Sequence, residues 1–197
     1  MKIRLYDPTK DEVGWLRCRV LSFLDTAYFD NVLNKKEKYQ NPAIELVAIY
    51  NNQVVGLLDI EYEKEEKTLC TNGNGFGGMI WQIATHPDYQ RLGIGTRLLE
   101  TAEKIAKIEG LNYLEAWTRD DEWVNQWYEK NDFDKVYSYL HVYFDEDDEI
   151  EKAMNVNKKT DFQFIQAFAH YLGSKQENIK TKFNRVHECN CYVKNLK

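Results

Sequence analysis

The chain has no excess of positive charge. Its 26 Lys and Arg are outnumbered by 32 Asp and Glu, for a formal net charge of -6. A protein that grips a phosphate backbone carries the opposite sign, so nucleic acid is not an expected partner. No apolar run approaches the roughly 20 residues that span a bilayer. The opening residues, Met1 to Pro8, hold no apolar signal core. No membrane partner is expected, and the expected location is the cytoplasm. Cysteine is sparse and scattered. Cys18, Cys70, Cys189 and Cys191 follow no framework spacing and read as reduced thiols. Cys189 and Cys191 could share a strand face, but no second ligand pair is well spaced elsewhere, so no metal is expected. Internal repeats and low-complexity tracts are absent.

What is present suits one domain over residues 1–197, with 43% hydrophobic and 29% charged residues. Aromatic content is 14%, which fits a β-rich core and a ring-walled pocket. Alternation predicts a strand from Lys2 to Tyr6. Val13, Leu16, Val20, Leu21 and Leu24 give the apolar stripe of a helix over Asp11–Leu24. A short helix is expected from Tyr28 to Lys36, ended before Pro42. Strands follow over Glu45–Tyr50 and Gln53–Glu63, and Asn51-Asn52 between them suits a two-residue hairpin turn.

A polar, Gly-rich loop covers Lys64 to Gly78. Its Gly73–Gly78 stretch fits a dinucleotide glycine pattern, but an apolar strand follows where that pattern needs a helix. The strand Met79–Thr85 is nearly all apolar, as in the middle of a sheet. An amphipathic helix over Thr96–Lys107 has Gly110 as its stop signal. Then come a strand Leu111–Thr118, a helix Glu122–Lys130 capped by Asp120 or Asp121, and a strand Lys135–Phe144. The acidic stretch Asp145–Glu151 reads as a solvated loop or helix start. A helix is expected over Phe162–Leu172 and a last strand over Arg185–Val193. The order predicts an α/β (α+β) fold: a mixed, mostly antiparallel sheet, a central parallel β-α-β crossover, and helices on both faces. An inserted helical segment is expected at about 145–184, before the last strand, where it would shape a pocket or a homodimer interface.

The informative run is Ile83-Ala84-Thr85-His86-Pro87-Asp88-Tyr89-Gln90-Arg91-Leu92-Gly93-Ile94-Gly95-Thr96. A buried strand ends, a short loop follows, and a helix opens just after paired glycines. Unbonded N–H groups at a helix start, aligned with its dipole, attract anions. Gly93 and Gly95 lack Cβ atoms, so a phosphate can rest against the backbone. Arg91 and Arg97 add positive charge. These residues point to a site for a diphosphate-sized anion.

Gln90-Arg91-Leu92-Gly93-Ile94-Gly95 resembles the Gln/Arg-x-x-Gly-x-Gly/Ala signature of the GNAT superfamily of N-acetyltransferases. Glu122–Phe133 is similar to that family's last conserved helix, with Asp132 at the usual glycine position. The resemblance implies acetyl-CoA as cofactor, an amine of a small molecule or protein as acceptor, and direct transfer of the acetyl group. It implies contacts to the cofactor from Ile83, Ala84, Thr85, Gln90, Arg91, Leu92, Gly93, Ile94, Gly95, Thr96 and Tyr128. Tyr128 falls on the family's general acid. Asp121 stands where the family has a cofactor-contacting Asn, and Asn125 is the substitute. Ile83 or Thr85 would supply the backbone N–H that meets the carbonyl oxygen. Many relatives carry a carboxylate on the strand before the signature. Here that strand reads Met79-Ile80-Trp81-Gln82. Glu115 and Glu61, on neighbouring strands, are the candidate bases, and a water is a further option. Without a base the alternative is a silent CoA-binding module, a sensor or scaffold.

Overall fold

The computed structural model describes residues 1–153 and 165–196. The elements run β1 (Lys2–Leu5), α1 (Glu12–Phe23), β2 (Ala43–Tyr50), β3 (Gln53–Tyr62), β4 (Gly77–Thr85), α2 (Ile94–Ile108), β5 (Tyr113–Thr118), α3 (Glu122–Lys130), β6 (Asp134–Phe144), α4 (Asp147–Ala153), β7 (Ala167–Tyr171), α5 (Gln176–Lys182) and β8 (Arg185–Asn195). Among the described residues the strands form one sheet of order β1-β2-β3-β4-β5-β8-β6-β7. Only the β4–β5 neighbours are parallel, and α2 makes that crossover. The mixed, mostly antiparallel α/β architecture is the one expected from the element order.

Local chemistry explains several of these elements. Asn51 and Asn52 both take positive φ, 48° and 60°, which closes the β2–β3 hairpin in two residues. At the end of α2, Gly110 sits at φ 82°, while its N–H reaches Lys107 O and that of Leu111 reaches Ala106 O. This doubled bond closes the helix. Two apolar layers sandwich the sheet. Leu98, Leu99 and Ala102 of α2 pack with Tyr128 and Phe133 against Val55, Leu58 and Ile60 of β3. Trp15 and Cys18 of α1 pack on the opposite face, against Val47, Val54 and Leu57.

The structure corrects four local expectations. The buried face of α1 carries Trp15, Cys18, Arg19 and Ser22, whereas Val13, Leu21 and Leu24 of the expected stripe are exposed. Tyr28–Lys36 is not a helix: it is a turn as far as Asp30 and irregular chain from Asn31 on. The backbone from Ala27 on is bonded to distant side chains: Ala27 N–H to Asp121, Asn31 O to Arg19, and Lys36 N–H to Glu12. The expected helix Phe162–Leu172 begins outside the described residues, and its described part forms β7 instead. Ala167–Tyr171 pairs antiparallel with β6, placing His170 opposite His141 and Phe168 opposite Tyr143. The edge of β6 offers unpaired ladder groups there, and pairing outweighs the local helical pattern. Neither Asp120 nor Asp121 caps α3. Asp120 accepts from His187 Nδ1 at 2.9 Å, and Asp121 accepts the Ala27 N–H with both oxygens at 3.0 Å.

The segment after β6 therefore holds α4, β7 and α5. β8 then returns between β5 and β6.

Candidate active site

The site begins with a defect in β4. Asp59 of β3 faces Gln82, yet Ile60 faces Ile80, so Trp81 is an extra residue. Such a bulge bends its strand and increases its twist. On the other side, β4 pairs with β5 only from Gly77 to Ile80. Beyond Ile80 the two strands part, and a cavity of about 680 Å³ opens at the gap. Its walls come from both sides of the sheet. Gly93, Ile94, Gly95, Thr96 and Tyr128 line it from the α2–α3 side, and Arg19, Phe23, Tyr28 and Glu37 from the α1 side. Two reactants could therefore meet at the gap from opposite faces.

The gap leaves backbone amides free. His86 N–H donates to Val55 O on β3. Alternate residues of a strand point their amides to opposite neighbours, so those of Ile83 and Thr85 point toward the parted β5. The α2 end of the cavity is also rich in amides. Arg97 N–H is the first to bond within the helix, to Gly93 O at 3.1 Å. No side chain caps the helix, which leaves the N–H groups of Ile94, Gly95 and Thr96 without intrahelical partners. Gly93 takes φ 74°, and a Cβ there would meet nothing within 4 Å. The preceding Arg91 also has positive φ, 61°. This turn aims successive amides outward into the cavity, a geometry suited to an anion.

Tyr128 projects from α3 into the same cavity. Its ring stacks on Tyr192 at 5.2 Å and meets the edge of Phe133 at 5.2 Å. Its hydroxyl has no hydrogen-bond partner among the described residues. Burial raises its pKa, so it stays protonated and able to donate.

The other sequence-derived candidates divide clearly. Ile83, Ala84, Thr85, Gln90, Arg91, Gly93, Ile94, Gly95 and Thr96 all line the cavity. Leu92 is 66% exposed and faces away from it. Asn125 also stands off the cavity. Its amide donates to Arg119 O at 2.7 Å and Asp121 O at 2.9 Å, and its oxygen accepts from Asn190 and Tyr192. Glu115 is buried beside Trp117, outside the cavity lining. It accepts from Thr71 N–H, Asn72 N–H, the Asn72 amide and Trp117 Nε1, pinning the loop before β4. Glu61 is committed likewise, to Gln40, Asn41 and Trp81. Neither carboxylate reaches the cavity, so neither is placed to take a proton from a bound reactant.

Several wall residues carried no sequence signal. Arg19, 1% exposed, donates from Nε to Gln82 Oε1 at 2.9 Å and from Nη1 to Asn31 O at 2.7 Å. Gln82 Nε2 donates in turn to Glu37 at 3.1 Å. Deeper in, His141 Nδ1 accepts from Arg119 Nε at 3.1 Å, so its proton sits on Nε2 and points at Tyr139 Oη, 3.0 Å away. Burial, with Arg119 beside it, holds the His141 pKa down to about 4. The imidazole is therefore neutral, with its lone pair already used, and is a poor base. Burial pushes the Cys189 thiol up to about 11, which keeps it a protonated wall residue and not a nucleophile.

Residues 11–133 match the model of the "Acetyltransferase (GNAT) family". The chain belongs to this family. A comparison with curated proteins returns no match. Among solved structures, a GNAT-family acetyltransferase from Streptococcus pneumoniae superposes with TM-score 0.61 at 15% identity, over 100% of this chain and 99% of that one. The ribosomal-protein-S18-alanine N-acetyltransferase of Escherichia coli gives 0.58 at 13% identity, over 100% and 94%. The PaiA N-acetyltransferase of Thermoplasma acidophilum, in complex with coenzyme A, gives 0.52 at 16%, over 68% and 90%. At these identities the likeness speaks for the fold.

Proposed function

We propose that this GNAT protein is an acetyl-CoA-dependent N-acetyltransferase that joins cofactor and amine through the β4–β5 gap. The observation that carries this reading is the uncapped start of α2, whose free amides open onto the same cavity as an unpartnered tyrosine hydroxyl. The amides of Ile94, Gly95 and Thr96 would hold the cofactor's pyrophosphate, with Arg91 beside it. Acetyl-CoA, when bound, supplies a thioester carbonyl, and the described residues have room for it: bare glycine backbone at the phosphate end and a slot between parted strands at the acyl end.

In this reading the residues of the chain act in order. The amides of Ile83 and Thr85 meet the negative charge that develops on the carbonyl oxygen as the amine attacks. One such donor is typically worth about 2.7–4 kcal/mol of the barrier. The Tyr128 hydroxyl then gives its proton to the departing sulfur. Phe23, Tyr28, Trp81, Trp117 and Tyr139 wall the acceptor end and exclude water.

Thr96→Glu separates cofactor binding from folding. Thr96 is the third residue of α2, where a carboxylate favours an isolated helix by about 0.3–1 kcal/mol. The same charge opposes a bound pyrophosphate. The variant should melt no lower than the wild type, yet bind acetyl-CoA at least ~10-fold more weakly by calorimetry. Equal affinity in both proteins would place the cofactor elsewhere. Tight cofactor binding by the wild type, with no thiol release on any amine, would favour a non-catalytic module.

A further inference from the structure

The amine must reach the thioester as a free base, yet the strand before the glycine signature offers no carboxylate to deprotonate it. Among the described residues that line the cavity, the carboxylates are Glu37 and Asp121. Asp121 spends both oxygens on the Ala27 N–H. Glu37 comes from the turn-rich segment between α1 and β2. Among the described residues it accepts from Gln82 Nε2 alone, at 3.1 Å and 3.3 Å from its two oxygens. Gln82 is held in turn by buried Arg19, which donates to its Oε1 at 2.9 Å. Gln82 also directly precedes Ile83, whose amide faces the gap. The relay Arg19–Gln82–Glu37 thus fixes an exposed carboxylate at the α1 side of the cavity, beside the strand position where charge would develop.

We infer that Glu37 is the proton acceptor for the incoming amine, and that Gln82 and Arg19 are the positioning residues that hold it. This rests on the acetyltransferase reading above. The ammonium of the acceptor gives one N–H proton to the Glu37 carboxylate, which passes it to water at the cavity mouth. The freed nitrogen pair forms the C–N bond, and the C–S bond breaks with its electrons on sulfur. Tyr128 protonates that sulfur. The extra proton left on nitrogen after attack makes good the one Tyr128 gave. In total, an ammonium and acetyl-CoA become an acetamide, CoA–SH and one released proton. An anionic carboxylate at the entrance also selects for cationic amines over neutral or acidic acceptors.

The test uses the full-length protein with acetyl-CoA and the best substrate from a panel of primary amines, following free thiol from pH 6 to 10. Glu37 is exposed, so Glu37→Gln should fold normally and bind acetyl-CoA as the wild type does. Its kcat/KM near neutral pH should fall about 100-fold or more, within the range of general base catalysis. The deficit should shrink as pH rises and the amine deprotonates unaided. Glu37→Asp should recover part of the rate, and Gln82→Ala should reproduce the loss with a displaced pH profile. An active wild type with Glu37→Gln matching it at every pH would overturn the assignment to Glu37 alone. A wild type that binds acetyl-CoA but acetylates no amine would overturn the acetyltransferase reading itself, and this inference with it.

Discussion

Replacing Tyr128 by Phe tests the chemistry with little disturbance to the fold. The ring stays stacked on Tyr192 and packed on Phe133. The lost hydroxyl has no hydrogen-bond partner among the described residues, so its removal orphans nothing. The expected change in stability is below about 1 kcal/mol. Removing the whole ring is different: Tyr128→Ala should cost about 3–5 kcal/mol, as core aromatic truncations do. Loss of a general acid lowers kcat by about 10²–10⁴-fold, which is about 2.7–5.4 kcal/mol of barrier at 1.36 kcal/mol per tenfold. The assay is thiol release under saturating acetyl-CoA and amine, with calorimetric affinity and melting temperature measured on the same preparation. Tyr128→Phe should keep its affinity and its melting temperature while losing rate. If it turned over at the wild-type kcat, or lost rate only as far as its affinity for acetyl-CoA fell, the acid role would be refuted.

Glu115→Gln should show the opposite pattern. Its carboxylate collects donors from Thr71, Asn72 and Trp117. The amide must turn an N–H toward one of those donors, at a cost of about 1–3 kcal/mol. The melting temperature should drop by several degrees while kcat of the folded protein is unchanged; a lost kcat at full stability would restore Glu115 as a catalytic candidate. His141 predicts an acid limit. Its folded pKa of about 4 lies below the ordinary 6.5, so the unfolded chain binds this proton more readily. The stability that the neutral, bonded imidazole contributes is fully present above pH 6.5 and is lost as pH falls from there toward 4. Chemical denaturation at pH 7, 5.5 and 4.5 should show the decline, and His141→Gln should flatten it; identical slopes in both proteins would assign the acid sensitivity to other groups.

The sequence by itself determined the local features. Paired asparagines closed a hairpin because both tolerate positive φ. The glycines after Thr85 marked a helix start that no side chain could cap, and Gly110 marked a helix end. Tyr128 was legible because its spacing from Phe133 matches a family pattern, and Phe133, three residues past the end of α3, packs its ring against Tyr128. These signals sit within a few residues of one another, so their physics is local. Asp132 at the usual glycine position reads in the same way: the structure places it at φ 63°, a conformation that Asp tolerates.

Only the tertiary structure decided the acceptor side. The inward face of α1 carries Arg19 and Ser22 because a cavity, not a dry core, lies against it, and hydrophobic periodicity alone pointed to the exposed face instead. Glu37 gains its place through bonds to Gln82, 45 residues away in sequence, and Glu115 loses its candidacy to loop amides more than 40 residues away. Ala167–Tyr171 became a strand because β6 had an edge to pair. The parting of β4 from β5, on which the whole site depends, begins after Ile80, at the bulged residue Trp81. A bulge is a mismatch in count between two strands, so it exists only once both are paired.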